Sequence, residues 1–534
     1  MLFILSMDAF NRLLDCAGRR GILSKPGFPA MRYHCSLYAD DAILFISATT
    51  REAVRVKRLL EVFGNAFGLV ANLSKCSLST VATDEEVMGD IAAVLGCHVA
   101  PFPVVYLGLP LSAKSLPKAS WHGMVEKVAS KLPVCHGPLM SRSGRLVWIK
   151  SVLMAMPVFA MMANSLPAWV KTEVDAICRK FLWAGSDQSV RGKSLVAWPA
   201  VARPLELGGL GIPDIRLYSI ALQTRWLWLQ RTDEHRVWSG LQIRVAAEVR
   251  AFFDASVMVE IGNGRRTLFW LDRWMSGLAL ADVAPALTAA IPRRTARSLT
   301  VAEGLNNRRW VRGIVGGLTV TIIAEYLRVW QRLDGLLLRE DVEDRVIWRW
   351  SGSGLYSARS AYRALHLGSI PLPGSELIWR SWMPLRVKIF IWLSFRRRHW
   401  TADRHRRHGL DARELCWLCD HEPETCDHLL FRRQFARVVW ARVLGKVGLR
   451  LPPVAGCSGL LDWWHRFRGC WPTTLRKGAD TLFGLVCWSI WKQRNACCFR
   501  GEQASAADVL KAIFETAEMW VLGGAAGLGI LGLI

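Results

Sequence analysis

Acidic residues are scarce in this sequence: 44 Asp and Glu stand against 69 Lys and Arg, a formal net charge of +25 at pH 7. Such an excess attracts polyanions over long range and makes nucleic acid the leading partner. Net charge does not say where the charge sits, so a basic protein that binds no polyanion is the alternative. A secretory signal is missing too, because Met1-Leu2-Phe3-Ile4-Leu5 has neither a basic leading stretch nor a small-residue cleavage site. These residues read instead as part of a buried helix. No apolar run is long enough to span a bilayer: Met519 to Ile534 is continuously apolar and Gly-rich, but its 16 residues fall short of the roughly 20 required. Without a signal, the fourteen scattered Cys are expected as reduced thiols and metal ligands, in a nuclear or cytoplasmic protein that is not secreted and has no membrane partner. Hydrophobic content of 51% with 21% charge over 534 residues is globular and sufficient for several cores, so three or more domains are expected.

The most informative stretch is Ser36-Leu37-Tyr38-Ala39-Asp40-Asp41-Ala42-Ile43-Leu44-Phe45. Two apolar arms suited to strands flank an Asp pair suited to a tight turn, so the pattern predicts a hairpin with an acidic tip. Carboxylates on a rigid tip are hard ligands for Mg²⁺ and support in-line phosphoryl transfer; Asp-Asp after an apolar run is equally an ordinary exposed turn. Before it, Leu2, Phe3, Leu5, Phe10, Leu13 and Leu14 recur at helical spacing, with Gly21 and Pro26 closing the segment. Asp8 within this helix reads as a solvated position. After the hairpin, Arg51 to Phe67 predicts a helix with an apolar stripe of Val54, Leu59, Leu60, Val62 and Phe63, ended by Gly68. Next come a strand-like exit, Gly68 to Cys76, whose Lys75 could reach a phosphate, and Val104 to Leu111, a strand bent at Gly108 and Pro110.

Residues 116–235 read as mainly helical. They include the basic loop Ser141-Arg142-Ser143-Gly144-Arg145 leading into an apolar helix, and a bend at Gly208-Gly209-Leu210-Gly211 that fits neither a P-loop nor a dinucleotide fingerprint. From 236 to 370 the sequence is rich in Trp and Arg, a composition that suits either core packing or stacking on bases. Asn263-Gly264 there signals a hairpin.

Cys416-Trp417-Leu418-Cys419, followed by Glu424-Thr425 and His428, has the soft ligands and knuckle spacing of a structural Zn²⁺ site. Just before it, Arg380 to Leu410 carries nine Lys or Arg against one acid, Asp403. Arg386, Lys388, Arg396, Arg397, Arg398, Arg404, Arg406 and Arg407 are the candidate contacts to a phosphate backbone, interleaved with Trp382, Trp392 and Trp400. The alternative is a solvated basic helix face. Helices are expected beyond 440, at Trp463-Trp464, Leu482 to Trp491 and Val509 to Val521, without further chemistry.

In order and spacing, the entry helix, Tyr38-Ala39-Asp40-Asp41, the Asn72/Lys75 element and Tyr106-Leu107-Gly108-Leu109-Pro110-Leu111 resemble the reverse transcriptase of plant non-LTR (LINE-type) retrotransposons. The resemblance continues into the Trp/Arg motifs and the zinc knuckle. It implies that Asp40 binds catalytic Mg²⁺ with Asp41 as a neighbouring acid, that Tyr38 and Lys75 lie on the substrate side, and that RNA template and DNA primer or target are the partners. It implies an α+β fold divided into the C-terminal part of a palm at 1–115, a helical thumb-like region at 116–235 and a Trp/Arg-rich connection at 236–370. A reverse-transcriptase zinc-binding domain at 371–445 and C-terminal helices at 446–534 would follow. The family's first catalytic Asp and the Gly-rich, Pro-containing segment after it are not found. The expectation is therefore an N-terminally truncated RNA-directed DNA polymerase, not competent alone, with a non-catalytic RNA- or DNA-binding remnant as the alternative. Nothing resembles the family's endonuclease or a ribonuclease H domain. In that family a Cys five residues beyond the His completes the zinc tetrahedron; here that position is Arg433. Cys426, His421 or water would have to substitute, or the site is degraded, and weakened zinc binding is expected.

Overall fold

A computed structural model describes residues 2–24, 34–81, 83–133, 136–186, 194–236, 238–411, 413–416 and 418–533. Pro26 and Trp417 lie outside them. The chain forms two compact units, one of Met1–Met124, Phe159–Leu166 and Leu217–Leu367, the other of Val125–Val158, Pro167–Arg216 and Gly368–Ile534. Helices dominate, and the described strands form four two-stranded sheets, an α+β composition.

In the first unit, helix Leu2–Arg19 buries Phe10, Leu14 and Ala17. Its first turn is not buried as expected, since Leu2 is 82% exposed and Ile4 and Leu5 are also open. Asp8 pairs with Arg12 one turn on, in solvent. Helix Thr50–Phe67 starts where the Thr49 hydroxyl accepts from Glu52 N (3.2 Å) and ends at Gly68 with φ 70°. The predicted stripe is rotated: Val54 and Val62 are exposed, while Glu52, Ala53, Val56 and Phe63 face inward. The Glu52 carboxylate is tolerated inside because Ser24, 28 residues earlier, satisfies it through its N (2.6 Å) and Oγ (2.8 Å).

The acidic hairpin forms, with Cys35–Tyr38 antiparallel to Asp41–Leu44 and Tyr38 opposite Asp41. Ala39 at its turn has φ 52°. Val104–Tyr106 and Leu109–Leu111 form a second hairpin around Leu107 and Gly108, at φ 50° and 78°, the positive pair that two-residue turns favour. The two hairpins touch where Ser36 Oγ lies 3.3 Å from Tyr106 OH. Between them, Lys75 ends a short 3₁₀ turn, Leu73–Lys75, in place of the expected strand-like exit.

The Trp-rich stretch resolves into core. Trp270, Trp274 and Trp310 pack in one cluster with Phe269 and Leu280, and Trp348 packs in another with Trp228 and Phe253. Asn263-Gly264 makes no hairpin. Its loop wraps a carboxylate: Asp344 accepts from Gly262 N (2.8 Å), Gly264 N (2.9 Å), Arg266 N (3.1 Å) and Thr267 Oγ1 (2.7 Å). Gly264 supplies the φ of +68°, but the flanks bind an acid about 80 residues away instead of each other. Those four donors outweigh burial and hold the Asp344 carboxyl below its ordinary pKa.

In the second unit, Ser141 caps helix Arg142–Trp148 by accepting from Gly144 N (3.2 Å). Arg145, expected in a basic loop, is buried and donates to the carbonyls of Gly137 (3.1 Å), Pro138 (3.0 Å) and Leu182 (3.4 Å). The Gly208–Gly211 bend is structural, with φ of 78° and 69°; the Gly208 carbonyl accepts from Trp392 Nε1 (2.7 Å) and Arg396 (3.0 Å). Helices Leu460–Gly469, Arg476–Arg500 and Ala506–Leu522 complete the unit around Trp463, Trp464 and Phe483. Among the described residues no helix is long and apolar enough to cross a membrane.

Replacing Asp344 with Ala strands three backbone donors at once. Its unit should lose on the order of 2–4 kcal/mol, read as a lower urea midpoint; an unchanged midpoint would mean that water satisfies the loop equally well.

Candidate metal centre and nucleic-acid surface

The knuckle is a tight reversal. Cys416 N donates to Glu422 O (2.8 Å), Asp420 N donates to Cys416 O (2.9 Å), and Leu415 bridges Pro423. Asp420 takes a positive φ of 59° to close it. His428 arrives on the following turn, where its backbone N donates to Thr425 Oγ1 (3.1 Å). The ligand atoms of Cys416, Cys419 and His428 then all lie within 4.8 Å of one another, and Cys419 Sγ is 3.3 Å from His428 Nε2. Two thiols and an imidazole at these separations suit three corners of a zinc tetrahedron. His428 Nδ1 lies 2.9 Å from Glu422 Oε2, the carboxylate partner that orients a metal-binding ring. Glu422 was not anticipated, although its place six residues before His428 on the returning loop carried the signal.

Neither proposed substitute joins this group. Cys426 is buried elsewhere, its Sγ 3.9 Å from Ser394 O, with burial pushing its thiol up to about 12. His421 turns its Nδ1 to the Cys419 carbonyl. Arg433 is instead buried at 2% exposure with its guanidinium close to Cys416. Burial lowers its pKa while Cys416, Glu424 and Cys419 oppose the shift. None of its three nitrogens meets an acceptor at normal hydrogen-bonding geometry. A buried cation therefore stands beside the position that a dication would take.

The knuckle is anchored from behind by Glu424, which is fully buried. Arg494 grips it with Nε to Oε2 at 3.1 Å and Nη2 to Oε1 at 2.5 Å, and Ala402 N adds a third donor at 3.2 Å. Arg494 lies 70 residues away on another helix, so no local pattern announced it.

The predicted phosphate contacts divide sharply. Arg404 is buried against Trp400 at 4.4 Å and donates to the Arg398 carbonyl; Arg396 is held by Gly208 O; Lys388 donates to Trp379 O at 3.1 Å. Arg397, Arg406 and Arg407 pair with Asp427, Glu414 and Asp403. Arg386 and Arg398 are exposed and carry no acidic partner among the described residues. Trp392 is fully buried, whereas Trp382 is 38% exposed.

At the first hairpin, Asp40 and Asp41 are both exposed and Tyr38 is 64% exposed; Lys75 is exposed on its own turn. Cys416, Cys419 and His428 are the one group of three or more candidate metal ligands among the described residues, so no third ligand joins the Asp pair there.

Residues 356–440 match the family described as zinc-binding in reverse transcriptase; the segment holds all three clustered ligands. Over 448 residues the chain is also similar, at 28% identity, to a putative ribonuclease H protein of Arabidopsis thaliana, covering 77% of this chain and 69% of that protein.

His399 gives the module a pH dependence. It is buried at 7% exposure, with Nε2 at 2.9 Å from both Phe390 O and Ser394 Oγ, and burial lowers its pKa from 6.5 to about 4. Below 6.5 the unfolded chain takes up the proton that the folded chain refuses. The stabilisation is complete above 6.5 and is lost as pH falls toward about 4. The loss should approach roughly 1 kcal/mol per pH unit in that window. Thermal midpoints between these limits should show the slope in the native chain and a flatter one in His399→Gln; equal slopes would assign the dependence to other groups.

Proposed function

We propose that this is a retrotransposon-related, nucleic-acid-binding protein akin to reverse transcriptases, with an intact binding function and no polymerase activity of its own. The Cys416/Cys419/His428 cluster, inside the segment matching a reverse-transcriptase zinc-binding family, carries the reading. The Tyr38-Ala39-Asp40-Asp41 turn supports kinship with a non-LTR element's polymerase palm. Asp40 would ligate Mg²⁺ there, with Asp41 beside it and Tyr38 and Lys75 on the substrate side. Two-metal phosphoryl transfer needs a clamp on both the attacking and the leaving oxygens, and an exposed Asp pair without a third described ligand is a poor one. Arg386 and Arg398, exposed without an acidic partner among the described residues, support nucleic-acid binding by a non-catalytic remnant.

Primer extension on an RNA template with Mg²⁺ should fail for the native chain and for Asp40→Ala alike, while both bind the RNA with an affinity that falls as salt rises. Extension by the native chain that Asp40→Ala abolishes would overturn the proposal and restore a working polymerase site.

Cys416, Cys419 and His428 would hold Zn²⁺ as a structural ion that pins the knuckle, and the buried Arg433 charge would weaken it by repulsion. Arg433→Cys removes that charge and offers a fourth thiolate, so zinc affinity should rise at least tenfold in competition with a chromophoric chelator. Equal affinity in the two proteins would show that Arg433 does not limit the site.

A further inference from the structure

A cavity of about 610 Å³ opens beside the knuckle, well within the range of about 300–1,000 Å³ typical of ligand pockets. Four segments build it: the start of helix Arg142–Trp148, Leu195, residues of the basic segment from Arg398 to Asp411 with Arg413, and one face of helix Arg476–Arg500. Only the basic segment lies within the family match. Its cations differ in availability. Arg494 is committed to buried Glu424 and Arg413 to Asp420, whereas Arg142 and Arg398 are exposed and have no acidic partner among the described residues. Its aromatic walls are Trp400, Trp491 and Phe499. Trp491 is backed by His399 at 4.8 Å and Trp400 by Arg404 at 4.4 Å, so both rings are held in place. Phe499 sits at the edge, 78% exposed on the last turn of a 25-residue helix, with the Arg494 guanidinium 5.8 Å from its ring centre.

We propose that this cavity receives one unpaired nucleotide of a single-stranded nucleic acid, its base stacked on Phe499 and its phosphate held by Arg142 and Arg398. Free guanidinium groups in a cavity that also holds an exposed aromatic ring match a ligand that joins an anion to a flat π surface. An acidic peptide would use the arginines but leave the rings bare. An apolar ligand would leave the arginines unpaired. Asp411, the acid on the lining, suits the exocyclic amine of a base and disfavours phosphate beside it. A paired base cannot enter, so single strands should be preferred over duplex. The inference rests on the nucleic-acid-binding reading above and locates a base within it.

The test uses the full chain and a short single-stranded RNA carrying one 2-aminopurine. Binding should quench the probe. Phe499→Ala, at a position too exposed to threaten folding, should weaken binding about tenfold and remove the quenching, while Phe499→Trp should retain both. The double variant Arg142→Gln/Arg398→Gln should lower the slope of log affinity against log salt by about 0.7 for each phosphate that is no longer neutralised. If Phe499→Ala binds and quenches as the native chain does, or if duplex RNA binds as well as the single strand, the pocket assignment is overturned while the chain remains a nucleic-acid binder. If the native chain binds no RNA even at low salt, the pocket and the functional reading fall together.

Discussion

The zinc-type module depends on one buried ion pair. Glu424 is wholly inaccessible and Arg494 nearly so. Two charges that deep are tolerable only because the contact is bidentate and Ala402 N satisfies part of the remaining acceptor capacity. Removing either partner alone leaves the other charged and dry, at a cost of about 3–5 kcal/mol. The pair ties the returning strand of the knuckle to the helix that carries Trp491 and Phe499, and to the short helix Ala402–Arg407. Metal cluster, basic segment and cavity are therefore mutually positioned by a contact that no metal supplies.

That arrangement gives Arg433 its meaning. In a cluster with two thiol ligands, either a bound dication or a neighbouring guanidinium can balance thiolate charge. Here Arg433 is buried against Cys416 with no acceptor of good geometry, while Glu424, the nearest full carboxylate among its opposing neighbours, is already gripped by Arg494. A zinc ion at the cluster would lie beside the buried Arg433 charge, and the Glu424–Arg494 pair holds the knuckle independently of either.

Local signals were legible where physics is local. The Asp40-Asp41 hairpin, the helix ended by Gly68, the bend at Gly208–Gly211 and the Cys416/Cys419/His428 grouping all rest on turn chemistry or ligand spacing confined to a dozen residues. The stripe of helix Thr50–Phe67 was misplaced because Glu52 found Ser24 as a partner, a contact 28 residues distant. Asn263-Gly264 was misread for the same reason, its amide groups turning to Asp344. The first turn of helix Leu2–Arg19 shows the converse, since apolar residues at helical spacing stay exposed where nothing among the described residues covers them. Glu424 with Arg494, and Arg142 with Phe499, join segments that only the folded chain brings together.

The same distinction governs the positive charge that first pointed to nucleic acid. A count of +25 treats every guanidinium as available, yet Arg145, Arg404, Arg433 and Arg494 are buried and three more in the basic segment are paired with acids. Paired or buried arginine contributes little to a phosphate's binding, because its field is cancelled or its donors are occupied. Of the nine cations in the basic segment, only Arg386 and Arg398 stay exposed without an acidic partner among the described residues, and Arg142 joins Arg398 at the cavity. Sparse charge favours a site that adds stacking to electrostatics over one that relies on a continuous basic stripe, and the cavity beside the knuckle is where free arginines and an exposed ring coincide. Affinity there should depend on base stacking as well as on salt, which separates a shaped site from a merely basic surface.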